Sequence, residues 1–155
     1  MKKLRFFKKD VVERKRSALV RPMQALGLEA RWGDTQGASQ AVVKRVGLTA
    51  LTQFEAKGFL STDEIERYVI PRRTLTHRRA RSEPLTVEES DKLLRIARLT
   101  EQAIEVFGDG DHAASWLRRA SPRFDGSSPL ELARTEHGGR VVEEALTQIT
   151  EGMFA

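Results

Sequence analysis

At 155 residues the chain has the size of one domain or two small ones, which disfavours a large two-lobed enzyme. Hydrophobic residues at 39% and charged residues at 32% suit a folded globular protein, and the absence of cysteine excludes disulfide scaffolds, thiolate zinc sites, iron–sulfur clusters and cysteine nucleophiles, making a reducing cytoplasm the expected home. The charge is divided: residues 1–85 hold 19 Lys/Arg against 9 Asp/Glu, a net +10, while residues 86–155 hold 8 against 13, a net −5, so the front half suits a polyanion and the back half a different partner.

Met1 to Lys9 is basic, with Phe6 and Phe7, but no apolar run of signal-peptide length follows it. Nowhere does the chain approach the roughly 18 apolar residues of a membrane span, so no membrane partner is expected. Residues 10–26 have helical character that Pro22 interrupts, and 31–39 reads as a loop because of Gly33, Asp34, Gly37 and Ser39. Helices are then expected over 38–46 and over 49–57, the second closed by Gly58. Ser61-Thr62-Asp63-Glu64 is a capping box, in which the serine accepts from the glutamate amide while the glutamate side chain reaches back; it opens a helix carrying Ile65, Tyr68 and Val69. After a break at Ile70, Pro71 suits the first position of another helix, over 72–79, which ends before Pro84. A second box, Thr86-Val87-Glu88-Glu89, starts the longest helix, whose apolar face runs Leu93, Ile96, Ala97, Ala103, Ile104, Phe107 until Gly108 stops it. Asp109 to Asp111 cap a helix that should bury Ala113, Trp116, Leu117 and Ala120. Ser128-Pro129-Leu130-Glu131 is a third box opening a short helix to 133 or 134. Gly138 and Gly139 introduce a last helix, with Val142, Ala145, Leu146, Ile149 and Met153 on one stripe. No segment alternates as a half-buried strand does, so the fold class is all-α.

Two short helices joined by a tight turn, over 61–79, match the helix-turn-helix pattern. Arg72, Arg73, Arg78, Arg79 and Arg81, with Thr74, Thr76 and His77, fall on or just after its second helix, the one that enters the major groove, and the segment from Pro71 to Arg81 contains no acid. These eight residues are the candidate DNA-binding set, the plain alternative being a solvated basic face. The end of the chain, Glu151, Gly152, Met153, Phe154 and Ala155, is either a frayed terminus or an apolar plug for a partner's cleft, with a carboxylate for a basic pocket. His77, His112 and His137 lack metal-ligand spacing. No nucleophile elbow, acid/base pair or phosphate loop occurs, so neither catalysis nor a cofactor is expected.

From about residue 41 onward the motifs together resemble the Xre/MbcA/ParS-type antitoxins. The family pattern Leu-Gly-Ile-Ser-x-Arg-Thr-Leu, followed by arginines and Leu-Ser-x-Glu-Glu-Ser, is met by Tyr68-Val69-Ile70-Pro71-Arg72-Arg73-Thr74-Leu75, by Arg78-Arg79 and by Leu85-Thr86-Val87-Glu88-Glu89-Ser90, with Val69 in place of the turn glycine. Further matches are Arg98-Leu99, Glu105-Val106-Phe107-Gly108, Trp116-Leu117, Gly126, Pro129-Leu130-Glu131-Leu132, Thr135, Gly138 and Gly152, while Ser121-Pro122-Arg123 replaces a more usual Thr-Pro-Asn. The resemblance implies three parts: a basic, partly helical segment over 1–37, a helix-turn-helix DNA-binding region over 38–85, and a helical toxin-binding domain over 86–155 with an apolar tail. It also implies a type II antitoxin that binds operator DNA to repress its own operon and neutralises a RES-domain, NAD-degrading toxin with its C-terminus, as a homodimer at least and a hetero-oligomer with the toxin. The alternative is a helix-turn-helix regulator whose C-terminal half only dimerises.

Overall fold

The computed structural model describes residues 20–29 and 32–153, which are helical and contain no strand. The part of the expected 10–26 helix before residue 20 lies outside the described residues. Its last turn is present as α1, Pro22–Ala25, where Pro22 follows the non-helical Val20 and Arg21 and takes the first helical position, which needs no amide donor. Helix α2, Thr35–Lys44, begins three residues earlier than the sequence suggests. Gly33 and Gly37 look like loop residues, but the Asp34 side chain accepts from the Gly37 amide at 2.8 Å and caps the helix. Helices α3, Leu48–Ala56, α4, Thr62–Tyr68, and α5, Arg72–Arg81, follow. Pro71 is the N-cap residue of α5 rather than its first helical residue. Then come α6, Val87–Phe107, α7, Gly110–Arg118, a 3-10 turn at Pro122–Phe124, α8, Pro129–Leu132, and α9, Glu136–Thr150. All three capping boxes form with both reciprocal bonds.

The axis of the molecule is α6. It buries Leu93, Leu94, Ile96, Ala97, Leu99 and Ala103, and α1, α2, α7 and α9 pack around it. One continuous apolar core runs from Met23 through Leu51, Phe54, Ile65, Ile70 and Leu75 to Leu117, Leu130, Val142 and Leu146, so the helix-turn-helix and the C-terminal helices share one interior. Buried polar side chains on α6 latch neighbouring segments, as buried polar groups must find partners. Glu101, 2% exposed, accepts the Met23 amide at 3.1 Å and Arg21 Nη1 at 3.1 Å, fastening α1. Ser90 Oγ accepts the Val46 amide at 2.9 Å. Arg45 has φ 66, a left-handed conformation unusual for a side-chain residue, and its guanidinium donates to the carbonyls of Leu85 at 2.8 Å and Pro84 at 3.2 Å, holding the α2–α3 link against the α5–α6 link.

Two glycines at the start of α9 are not a connection, because the helix begins before them at Glu136, capped by Thr135. They are sites of close approach. A Cβ on Gly138 would lie 2.0 Å from the Leu132 carbonyl oxygen, and one on Gly139 would lie 2.8 Å from Cδ of buried Arg95. Two members of the expected apolar stripes are displaced: Ala120 lies beyond α7 and is exposed, and Met153 lies beyond α9 and is 63% exposed. Among the described residues no helix is long and apolar enough to cross a membrane.

Candidate functional site

Helix α4, the turn Val69–Pro71 and helix α5 form the helix-turn-helix. Val69 and Ile70 are buried, and Val69, where the family pattern has glycine, has φ −112, which a β-branched residue adopts without strain. Of the ten residues of α5 only Leu75 is buried, so this side chain seats the helix in the core while most of its other residues stay outside. Arg72, Arg73, Thr76 and His77 are exposed and Thr74 is half-buried. The Thr76 hydroxyl donates to the Arg72 carbonyl at 3.0 Å.

The arginines divide by surroundings. Arg73 makes no ion pair among the described residues. Arg72 lies 3.9 Å from Glu66, Arg79 3.8 Å from Glu55 and Arg81 3.7 Å from Glu83, long and exposed pairs of the kind that contribute little and can be exchanged for a phosphate. Arg78 is turned inward with its side chain 15% exposed; its Nε lies 3.1 Å from Glu89 Oε2, Nη2 donates to Glu89 Oε1 at 3.2 Å, and Nη1 donates to the Pro84 carbonyl at 3.3 Å. Its guanidinium therefore ties α5 to the capping box of α6. The local absence of acids in 71–81 concealed this, because the four glutamates come from other elements.

At the opposite end, Trp116 is half-buried rather than core, its ring 5.6 Å from Phe107 and 6.1 Å, edge-on, from buried Phe124. Helix α9 ends in a Schellman motif: Gly152, φ 69, donates to the Ile149 carbonyl at 3.2 Å and the Met153 amide to the Gln148 carbonyl at 3.1 Å. Glu151, Gly152 and Met153 are exposed, while Phe154 and Ala155 lie outside the described residues.

Charged pairs unforeseen in the sequence join the two ends. Arg118 on α7 grips Glu64, the capping-box glutamate of α4, through Nε at 2.6 Å and Nη2 at 2.8 Å, and also donates to the Phe59 carbonyl at 3.3 Å. Burial pushes the Glu64 carboxyl up, but the Arg118 and Ser61 hydrogen bonds outweigh it and hold the group below the ordinary range. Arg67 of α4 lies 3.5 Å from Glu131 of α8. Arg98 of α6 donates to the Trp32 carbonyl at 3.0 Å and to Glu143 of α9 at 2.7 Å. These contacts had no local signal, since the partners lie tens of residues apart.

Residues 37–98 match the antitoxin Xre-like helix-turn-helix domain, and residues 102–152 match the antitoxin Xre/MbcA/ParS C-terminal toxin-binding domain. An Antitoxin Xre of Pseudomonas putida is 42% identical over 104 residues, covering 67% of this chain and 65% of its own. A Prs ADP-ribosylating antitoxin of a Sphingobium species is 35% identical over 91 residues, covering 53% and 57%, and an Antitoxin Xre of Yersinia enterocolitica is 32% identical over 87 residues, covering 56% and 59%. The matched stretches span less than two thirds of each of these relatives. The two domain matches meet within α6, the helix around which α1, α2, α7 and α9 pack, and the chain belongs to the Xre/MbcA/ParS antitoxin family.

Proposed function

We propose that this chain is the antitoxin of a toxin–antitoxin pair: it binds operator DNA through α5 and repress its own operon, and it neutralises a RES-domain, NAD-degrading toxin by placing its C-terminus in or over the active-site cleft. The observation that carries the reading is the separation of two exposed chemistries on one rigid core. A basic helix seated by Leu75 and held by the Arg78–Glu89 pair stands on the Xre-like domain, and an exposed methionine follows the last helix of the toxin-binding domain.

On DNA, Arg72 and Arg73 in the first turn of α5 are placed for base edges or phosphates, with Thr74, Thr76 and His77 as shorter donors and acceptors, while Arg79 and Arg81 are placed for phosphates. Two copies of the chain on an inverted repeat supply two such helices. On the toxin, Met153, Phe154 and Ala155 contribute apolar area, with Glu151 and Gly152 forming the stem.

Co-expression with the product of the neighbouring reading frame tests this directly. The two proteins should purify together, growth should be restored, and NAD consumption by the toxin should cease. Absence of a complex, with growth still arrested, would leave the regulator whose C-terminal half only dimerises.

A further inference from the structure

The exit of the tail from α9 is tied to an arginine on the 3-10 turn. Arg123 lies on the 3-10 turn, with its amide donating to Ser121 Oγ at 3.3 Å. The next residue, Phe124, is buried against Trp116, so the base of the Arg123 side chain is anchored to the core, and its guanidinium lies 6.0 Å from the Phe124 ring centroid. From there Arg123 Nη2 donates to Gln148 Oε1. Gln148 is the residue whose carbonyl receives the Met153 amide and closes the Schellman motif.

In that motif the residue whose carbonyl closes the loop and the residue after the glycine frequently make an apolar contact that fastens the turn. Here the first is the polar Gln148 and the second, Met153, is 63% exposed. Holding Gln148 from outside the helix supplies the missing fastening.

We propose that Arg123 is a positioning residue for toxin neutralisation: by holding Gln148 it sets the direction in which Gly152 and Met153 leave α9. This rests on the reading that the tail blocks the toxin. Arg123 acts through the tail, so its contribution depends on the tail being present.

The test is a double-mutant cycle in the full-length chain, with Arg123→Ala, removal of residues 152–155, and the two combined, each titrated against the RES-domain product of the neighbouring frame with NAD as substrate. Arg123→Ala should raise the half-inhibitory concentration about tenfold in the intact chain and not at all in the shortened one. Equal weakening in both backgrounds would mean that Arg123 touches the toxin directly and would overturn the positioning role, as would no weakening in either. A second readout needs no toxin. In the free protein, Arg123→Ala should speed hydrogen exchange at the Met153 amide about tenfold while leaving Leu146 and the melting temperature unchanged, and an unchanged Met153 rate overturns the proposal. If removing residues 152–155 leaves inhibition intact, the cleft-blocking reading fails, and the exchange measurement still decides whether Arg123 fixes the exit.

Discussion

Arg73 and Arg78 sit five residues apart on the same helix and have opposite surroundings. Arg73 is exposed, whereas Arg78 is bonded to Glu89 and to the Pro84 carbonyl. Arg73→Ala should leave the melting temperature unchanged and weaken operator binding by about 1–3 kcal/mol if the side chain pairs bidentately with a base. Arg78→Ala removes the charged partner of Glu89, leaving only its capping-box bond from the Thr86 amide, and should cost about 1–3 kcal/mol of stability, with little change in the salt dependence of DNA binding. Replacing Arg79, if it holds a phosphate, should reduce that log–log slope by roughly 0.9. Melting curves and salt-titrated binding separate the three, and an Arg78 variant that melts like the parent while losing one unit of slope would return that residue to the DNA surface. The glycines of α9 are decided by equally local geometry. Gly138→Ala should cost about 1–3 kcal/mol or more, because the added methyl meets a backbone carbonyl that cannot turn aside. Gly110→Ala, with nothing within 4 Å, is the control that should melt at or slightly above the parent temperature.

The elements were most legible where their ends carry short-range signals. Ser61, Thr86 and Ser128 each sit three residues before a glutamate, and each box forms because both partners lie within one turn. Asp34 before Gly37 carried the same kind of signal, outweighed in the sequence by two neighbouring glycines. The Glu64 box has a second use that its spacing does not reveal, since Arg118 binds the same carboxylate. The folded-state pKa of Glu64 is lowered, so its contribution is complete above the unfolded value, about 4.3, and is lost as pH falls through the folded value. Glu64→Gln should therefore lower the melting temperature at pH 7 and flatten the acid loss of stability below about pH 4.3. A variant whose acid profile parallels that of the parent contradicts this. Trp116 belongs to the same scale: half-buried between Phe107 and Phe124, it should cost about 3 kcal/mol as alanine, the lower end for large-to-small changes, as measured by denaturant unfolding.

For the whole molecule, a continuous core and the Arg118–Glu64 and Arg98–Glu143 bridges predict one cooperative unfolding transition for 20–153, and two resolved transitions would contradict it. Removing residues 152–155, which follow the last helix, should leave that transition and operator binding nearly unchanged while weakening toxin inhibition by an order of magnitude or more, as measured at limiting concentration. Helix period, capping boxes and the division of charge were set by residues close in sequence, so the sequence by itself determined the all-α class, nearly every helix and the basic second helix of the helix-turn-helix. Tertiary structure alone decided which arginine of that helix faces inward, which glycines are required by close approach, and which residue holds the end of α9. Arg78–Glu89, Gly139–Arg95 and Arg123–Gln148 join residues 11, 44 and 25 positions apart, and only tertiary packing brings such pairs within contact distance.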